Sequence, residues 1–287
     1  MRIANSELTV EVASVGAELQ SIVSANGAQW LWHGDPKWWP SRAPLLFPVV
    51  GESPEHAVTI EGKRYPMQRH GFTRHSTFEV ASEHADRVTL MLKASPETRE
   101  SYPFEFFLSV SYALEGKTLV TSVEVGNLDS RQMPFGFGFH PAFVWPLPGG
   151  EGKRHYLKLA SRDTPKFLQL DGKGLILPEA YESPFVEGEM TLAPDLFSND
   201  ALIFPFGVGT GITFAAENGS SVALSWLNLP NFAVWQKRGA PYLCLEPWHG
   251  MAARAGAGDD ISARPSTVTL APNETAKFEL RATFQGA

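Results

Sequence analysis

Apolar side chains in this chain recur at every second residue, and no segment sustains the 3.6-residue period of an amphipathic helix. The clearest case is FEFFLSVSYAL (residues 104–114), followed by a second long strand-like run over 118–125. Glu115-Gly116-Lys117 joins the two as a tight turn. Strands do not alternate with helices, so parallel βαβ architectures are excluded along with helical bundles. What remains is a sheet that closes on another sheet.

The rest of the chain repeats the pattern. LTVEV (8–12) and ELQSIV (18–23), separated by Gly16, form an opening hairpin, and QWLW (29–32) is a third short strand. Four prolines between His33 and Pro48 rule out regular structure, so 33–56 is expected to be a long ordered loop. Residues 58–60 and 64–67 pair across Glu61-Gly62-Lys63, and 78–80 and 87–92 continue the strands. One short helix is expected, with Ser95 as cap, Pro96 in the first position and Pro103 as the stop. Further strands fall near 155–160, 200–204, 211–216, 221–228, 232–236, 242–246, 266–270 and 276–284, with no internal repeat. The fold class is therefore all-β, one large, mostly antiparallel sandwich spanning 1–287.

A chain of 287 residues that is 43% apolar has ample material for a continuous core. Its net charge is −7 and no basic run occurs, which argues against nucleic acid and anionic membranes as partners. No 18-residue apolar run or signal-like apolar segment after Met1 is present. A lone cysteine, Cys244, permits no intrachain disulfide and suits a reducing compartment; a cytoplasmic monomer or homodimer is expected. Phosphate-binding glycine loops, a GxSxG elbow and HExxH are all missing. The eight histidines lack close metal-ligand spacing, so neither a metal nor a cofactor is expected.

Four stretches carry possible chemistry. PYLCLEPWHG (241–250) places Tyr242, Cys244 and Glu246 on one strand face, with Pro247 expected to end the strand. Glu246 is then either a surface carboxylate at a strand end or a base beside Trp248. FGFGFHPAF (135–143), taken as one strand, puts Gly136, Gly138 and His140 on one side. Those glycines either floor a pocket leading to the imidazole or admit a neighbouring aromatic ring. RHGFTRH (69–75) offers His70 beside a glycine, with Arg69 and Arg74 as pocket or loop charges. Arg42 is the only cation in the apolar, proline-fixed loop 39–52 and needs acceptors, from the protein or from ligand hydroxyls. Eight tryptophans suit either sugar faces or a large core, and two or three at most should touch a ligand.

The ordered set SRAPLLFPVVGE (41–52), YPMQRHGF (65–72), FGFGFHPAFVWPL (135–147), SNDALIF (198–204) and CLEPWHG (244–250) resembles the aldose 1-epimerase (galactose mutarotase) superfamily, in particular a bacterial mutarotase-like branch. The resemblance implies a β-supersandwich. It further implies Glu246 as general base, His140 as general acid, His70 as a second active-site histidine, and Arg42, Asp200 and Trp248 as substrate-binding residues. Ala142 departs from the tyrosine that many members carry after the His-Pro pair, and the arginine segment lacks their Asn-rich pattern. Both departures bear on which sugar is bound. The implied activity is interconversion of α and β anomers of a free aldohexose. The alternatives are a hexose-6-phosphate 1-epimerase, which needs cations for which Arg42, Arg69 and Arg74 are the evident supply, or a non-catalytic carbohydrate-binding or sensing protein.

Overall fold

The computed structural model describes residues 1–286; Ala287, the last residue of the expected domain, lies outside them. Two large antiparallel sheets dominate. The nine-stranded sheet runs, edge to edge, through Glu189–Thr191, His155–Leu159, Gly211–Ala216, Ser221–Leu227, Thr275–Gln285, Thr118–Asn127, Phe106–Glu115, Arg87–Lys93 and Glu79–Glu83. The eight-stranded sheet runs through Ile176–Tyr181, Phe167–Leu170, Leu202–Phe204, Asn231–Trp235, Tyr242–His249, Phe137–Phe139 and Leu45–Leu46, and Ala142–Val144 also pairs with Tyr242–His249. Their facing sides close over one core, in which Phe137 stacks on Phe278 (ring centroids 4.7 Å) and Trp226 on Phe232 (5.1 Å). The all-β expectation is met.

The opening hairpin, the 57–60 and 63–66 hairpin, and the turn between Phe106–Glu115 and Thr118–Asn127 form where alternation places them. The helix Pro96–Ser101 is capped by Ser95, whose side chain accepts from the Thr98 N–H while Thr98 Oγ1 accepts from the Ser95 N–H. Four expectations need revision. Residues 29–32 make only isolated bridges, Val23 to Gln29 and Leu31 to Phe143. The loop 33–56 holds a two-residue strand, Leu45–Leu46, which covers the edge beside Phe137–Phe139, and a short 3-10 turn, Pro54–His56.

The third failure matters most for the site. Pro247 does not end its strand, because Tyr242–His249 continues through it, paired along its whole middle with Asn231–Trp235. On the other side its neighbour is interrupted at His140-Pro141, between Phe137–Phe139 and Ala142–Val144. The Leu245 N–H points to that side, donating to Pro141 O at 3.2 Å, and the period of two sends residue 247 the same way. A proline is tolerated there because no ladder partner stands opposite its missing N–H. The same interruption corrects the reading of 135–143 as one strand. Met133–Phe135 pairs with Val268–Leu270 instead, and the chain then crosses to the eight-stranded sheet.

Candidate active site

The Tyr242–His249 strand is buried on both faces. Leu243 and Leu245 enter the core between the sheets, while Tyr242 and Cys244 pack outward against Trp32 and Ala142. Glu246 lies on this outward face and is only 2% exposed, so it is no surface charge. The break at His140-Pro141 lets the His140 ring turn onto the same face, with Nε2 3.2 Å from Glu246 Oε2. Trp39 stacks on the imidazole at 4.9 Å and Trp235 meets it edge-on at 5.8 Å. Gly138 does not floor the pocket. A Cβ there would lie 2.4 Å from Trp248 Cδ1, so the residue is small in order to seat that indole.

His70 completes the cluster, its ring centroid 5.5 Å from that of His140. It sits at φ +65 next to Gly71 at φ +73, where any side chain would strike the Phe47 carbonyl oxygen at 2.1 Å. Gly51 holds both ends of His70: its N–H donates to Nδ1 (3.0 Å) and its carbonyl accepts the His70 N–H (2.9 Å). The neutral ring therefore carries its proton on Nε2. Arg264, buried and unforeseen from sequence, ties the 50–53 segment in place. Its guanidinium donates to Ser53 Oγ (2.8 Å) and to the carbonyls of Val50, Glu52 and Met251.

These residues open on a cavity of about 600 Å³, of a size for one small ligand. His70, His140, Asp200, Glu246 and Trp248 line it, as do Arg69, Arg74 and the unforeseen Gln236. Arg42 does not line it. Arg42 Nη1 donates to Gln20 Oε1 at 2.7 Å, and its backbone N–H to Glu18 Oε1, a structural pairing. Among the described residues, seven buried side-chain polar atoms lack a hydrogen-bond partner, and four belong to residues lining this cavity: Arg74 Nε, His140 Nδ1, Gln236 Oε1 and Trp248 Nε1. Unpaired buried polar atoms are costly, and their concentration around one cavity marks a site built for a polar guest. A larger groove of about 1040 Å³ is lined without a histidine or carboxylate.

Burial dominates the electrostatics. It pushes the Glu246 carboxyl well above the usual carboxylate range, with Asp200 adding to the effect and the nearby Trp248 indole N–H drawing it partly back. It lowers His140 to about 3, with Arg74 also opposing the charged imidazolium. His70 is held neutral by burial, and by His140 and three nearby arginines. Both shifts favour the pair with a single shared proton, a neutral Glu246 carboxyl beside a neutral His140 imidazole. Sequence spacing offered no metal site, yet the fold brings ligand atoms of His140, Cys244 and Glu246 within 4.8 Å of one another, a set able to take a soft divalent cation.

Comparison with known proteins finds relatives of the same family and fold. The family model described as aldose 1-epimerase matches residues 1–282. The plasmid form of protein LacX from Lactococcus lactis subsp. lactis is 30% identical over 287 residues, covering 95% of each chain. The structure of a galactose mutarotase related enzyme from Lactobacillus acidophilus superposes with a TM-score of 0.94 at 30% identity, over 100% of this chain and 97% of that one. A galactose mutarotase-like protein from Lactobacillus casei gives 0.89 at 29%, over 99% of each.

Proposed function

This chain belongs to the aldose 1-epimerase family, and from that premise we propose that it interconverts the α and β anomers of an aldose by general acid–base catalysis. The observation that carries this reading is the buried Glu246–His140 contact of 3.2 Å on the wall of a sugar-sized cavity. Opening a hemiacetal ring moves one proton from the C1 hydroxyl to a base. The C1–O5 bond breaks with its electron pair on the ring oxygen, which takes a proton from an acid. Rotation about C1–C2 and the reverse transfers close the ring on the other face. No electrons are gained or lost, and the catalyst must accept one proton and supply one.

A pair that holds a single proton meets this requirement. The assignment from resemblance, ionised Glu246 with protonated His140, differs from the neutral arrangement favoured by burial only in where that proton lies along the 3.2 Å contact. Each positioned proton transfer contributes about 10²–10⁴ in rate. His70, with Nδ1 already accepting from Gly51, has Nε2–H to offer a sugar oxygen. Gln236 and Trp248 line the same cavity, with the Trp248 indole N–H directed at Glu246. A binding protein would need hydroxyl contacts but not the proton-sharing pair. Polarimetry on freshly dissolved α-anomers of a panel of aldoses tests the reading: optical rotation relaxes faster than in buffer if it holds, and at the spontaneous rate for every sugar if the protein only binds.

A further inference from the structure

His70 owes its hydrogen-bonding role to one backbone peptide. The Gly51 N–H donates to His70 Nδ1 at 3.0 Å, which leaves the ring proton on Nε2. That N–H and the Val50 carbonyl are opposite ends of the same planar unit, so whatever holds the oxygen aims the hydrogen. The Val50 oxygen accepts from Arg264 Nη2 at 2.7 Å, and no other donor reaches it among the described residues. The same nitrogen donates to the Glu52 carbonyl at 3.1 Å, so one guanidinium grips the residues on both sides of Gly51. Its bonds to Ser53 Oγ (2.8 Å) and the Met251 carbonyl (3.2 Å) brace this segment against its neighbour, where Ala252 Cβ would lie 2.5 Å from a Cβ at position 51.

Gly51 needs such a restraint. It sits at φ +72, and glycine moves between backbone states more readily than any other residue. Rotation of the Val50–Gly51 plane would withdraw the N–H from Nδ1. The imidazole, kept neutral by its burial, is then free to carry its proton on either nitrogen. With the proton on Nδ1, the ring offers the cavity a lone pair at Nε2, and a sugar oxygen loses its donor. Arg264 is also a costly residue to keep for packing alone. It is buried, and its hydrogen bonds go to three carbonyls and a hydroxyl, with no carboxylate among them. Resting on the mutarotase reading of this site, we propose that Arg264 is a positioning residue: through the Val50–Gly51 peptide it holds His70 in the Nε2–H tautomer, as a donor to the sugar.

Proton–nitrogen correlation NMR of the imidazole rings reads the tautomer in the full chain without any sugar, with His70→Asn assigning the signal. The parent should carry the His70 proton on Nε2 alone. Arg264→Lys keeps a cation but replaces the fork by one ammonium, and Arg264→Gln buries no charge, so the link is still tested if the lysine variant does not fold. Both should show a mixture of tautomers. Their kcat/KM should fall about five- to tenfold, the worth of one hydrogen bond to the sugar. Ser53→Ala removes another bond of the same guanidinium but leaves the Val50 oxygen held, and should lower stability without altering the tautomer. An Nδ1–H or mixed ring in the parent overturns the proposal before any substitution is made. A tautomer unchanged in the Arg264 variants overturns it however far activity falls. A shifted tautomer in a protein that accelerates mutarotation of no sugar supports the link from Arg264 to His70 and refutes the enzyme reading. Mutarotation with an unchanged tautomer does the reverse.

Discussion

Replacing His140 by Asn should make the protein more resistant to acid while abolishing its chemistry. Burial holds the imidazole at about 3 against an ordinary value of 6.5, so between those limits the unfolded chain binds a proton that the folded chain refuses. Stability contributed by this group is therefore intact above pH 6.5 and is lost as pH falls toward 3. With about 1.4 kcal/mol for each pH unit inside the window, the penalty is close to zero at pH 7, about 1.4 kcal/mol at pH 5.5 and about 3 kcal/mol at pH 4. An asparagine side chain binds no proton in this range. Urea unfolding of both proteins at the three pH values reads the effect, with His155 and His249, remote from the substitution, common to both and cancelling. His140→Asn should gain about 3 kcal/mol relative to the parent between pH 7 and pH 4. A difference in stability that stays constant with pH would refute the claim that this imidazole is buried neutral.

Further outcomes follow from the same geometry. Gly138→Ala drives a methyl to within 2.4 Å of Trp248 Cδ1; overpacking of this kind costs about 1–3 kcal/mol, read as a lower unfolding midpoint, together with a raised KM as the indole shifts. Gly71→Ala is more severe, because its Cβ meets backbone at 2.1 Å in a left-handed conformation; at least about 3 kcal/mol is expected, and expression of folded protein is the readout. Cadmium or zinc ions should inhibit by occupying His140, Cys244 and Glu246 in place of the shared proton, with a thiolate-to-cadmium absorption band that Cys244→Ala eliminates. The rate profile should be bell-shaped and broad. Its acid limb follows the depressed His140 and its alkaline limb the raised Glu246, because activity needs the pair to hold one proton.

Much of this is legible in the sequence alone. Alternation assigns the central strands and puts Tyr242, Cys244 and Glu246 on one face, since period two is a local property of the backbone. Short-range stereochemistry likewise places the Ser95 cap and the 57–66 hairpin. The misreadings concern what lies beside a strand. Pro247 stops a ladder only if a partner stands opposite its nitrogen, and the gap at His140-Pro141 comes from a segment a hundred residues away. Gly138 is explained by Trp248 through the same long-range pairing. Arg42, the lone cation of an apolar loop, pairs with the Gln20 side chain and, through its backbone N–H, with the Glu18 carboxylate, which no spacing rule connects to it. Gln236 and Arg264 carry no motif at all; their importance rests on an unmatched oxygen and on four acceptors gathered from distant segments.

The central claim is that Glu246 and His140 together move the anomeric proton. Polarimetry of the parent protein and Glu246→Gln, at pH 7 and with equal sugar, tests it most directly. Loss of one transfer partner predicts a fall of about 10²-fold or more toward the spontaneous rate, with the cavity still binding the sugar. Undiminished relaxation by Glu246→Gln would contradict the account.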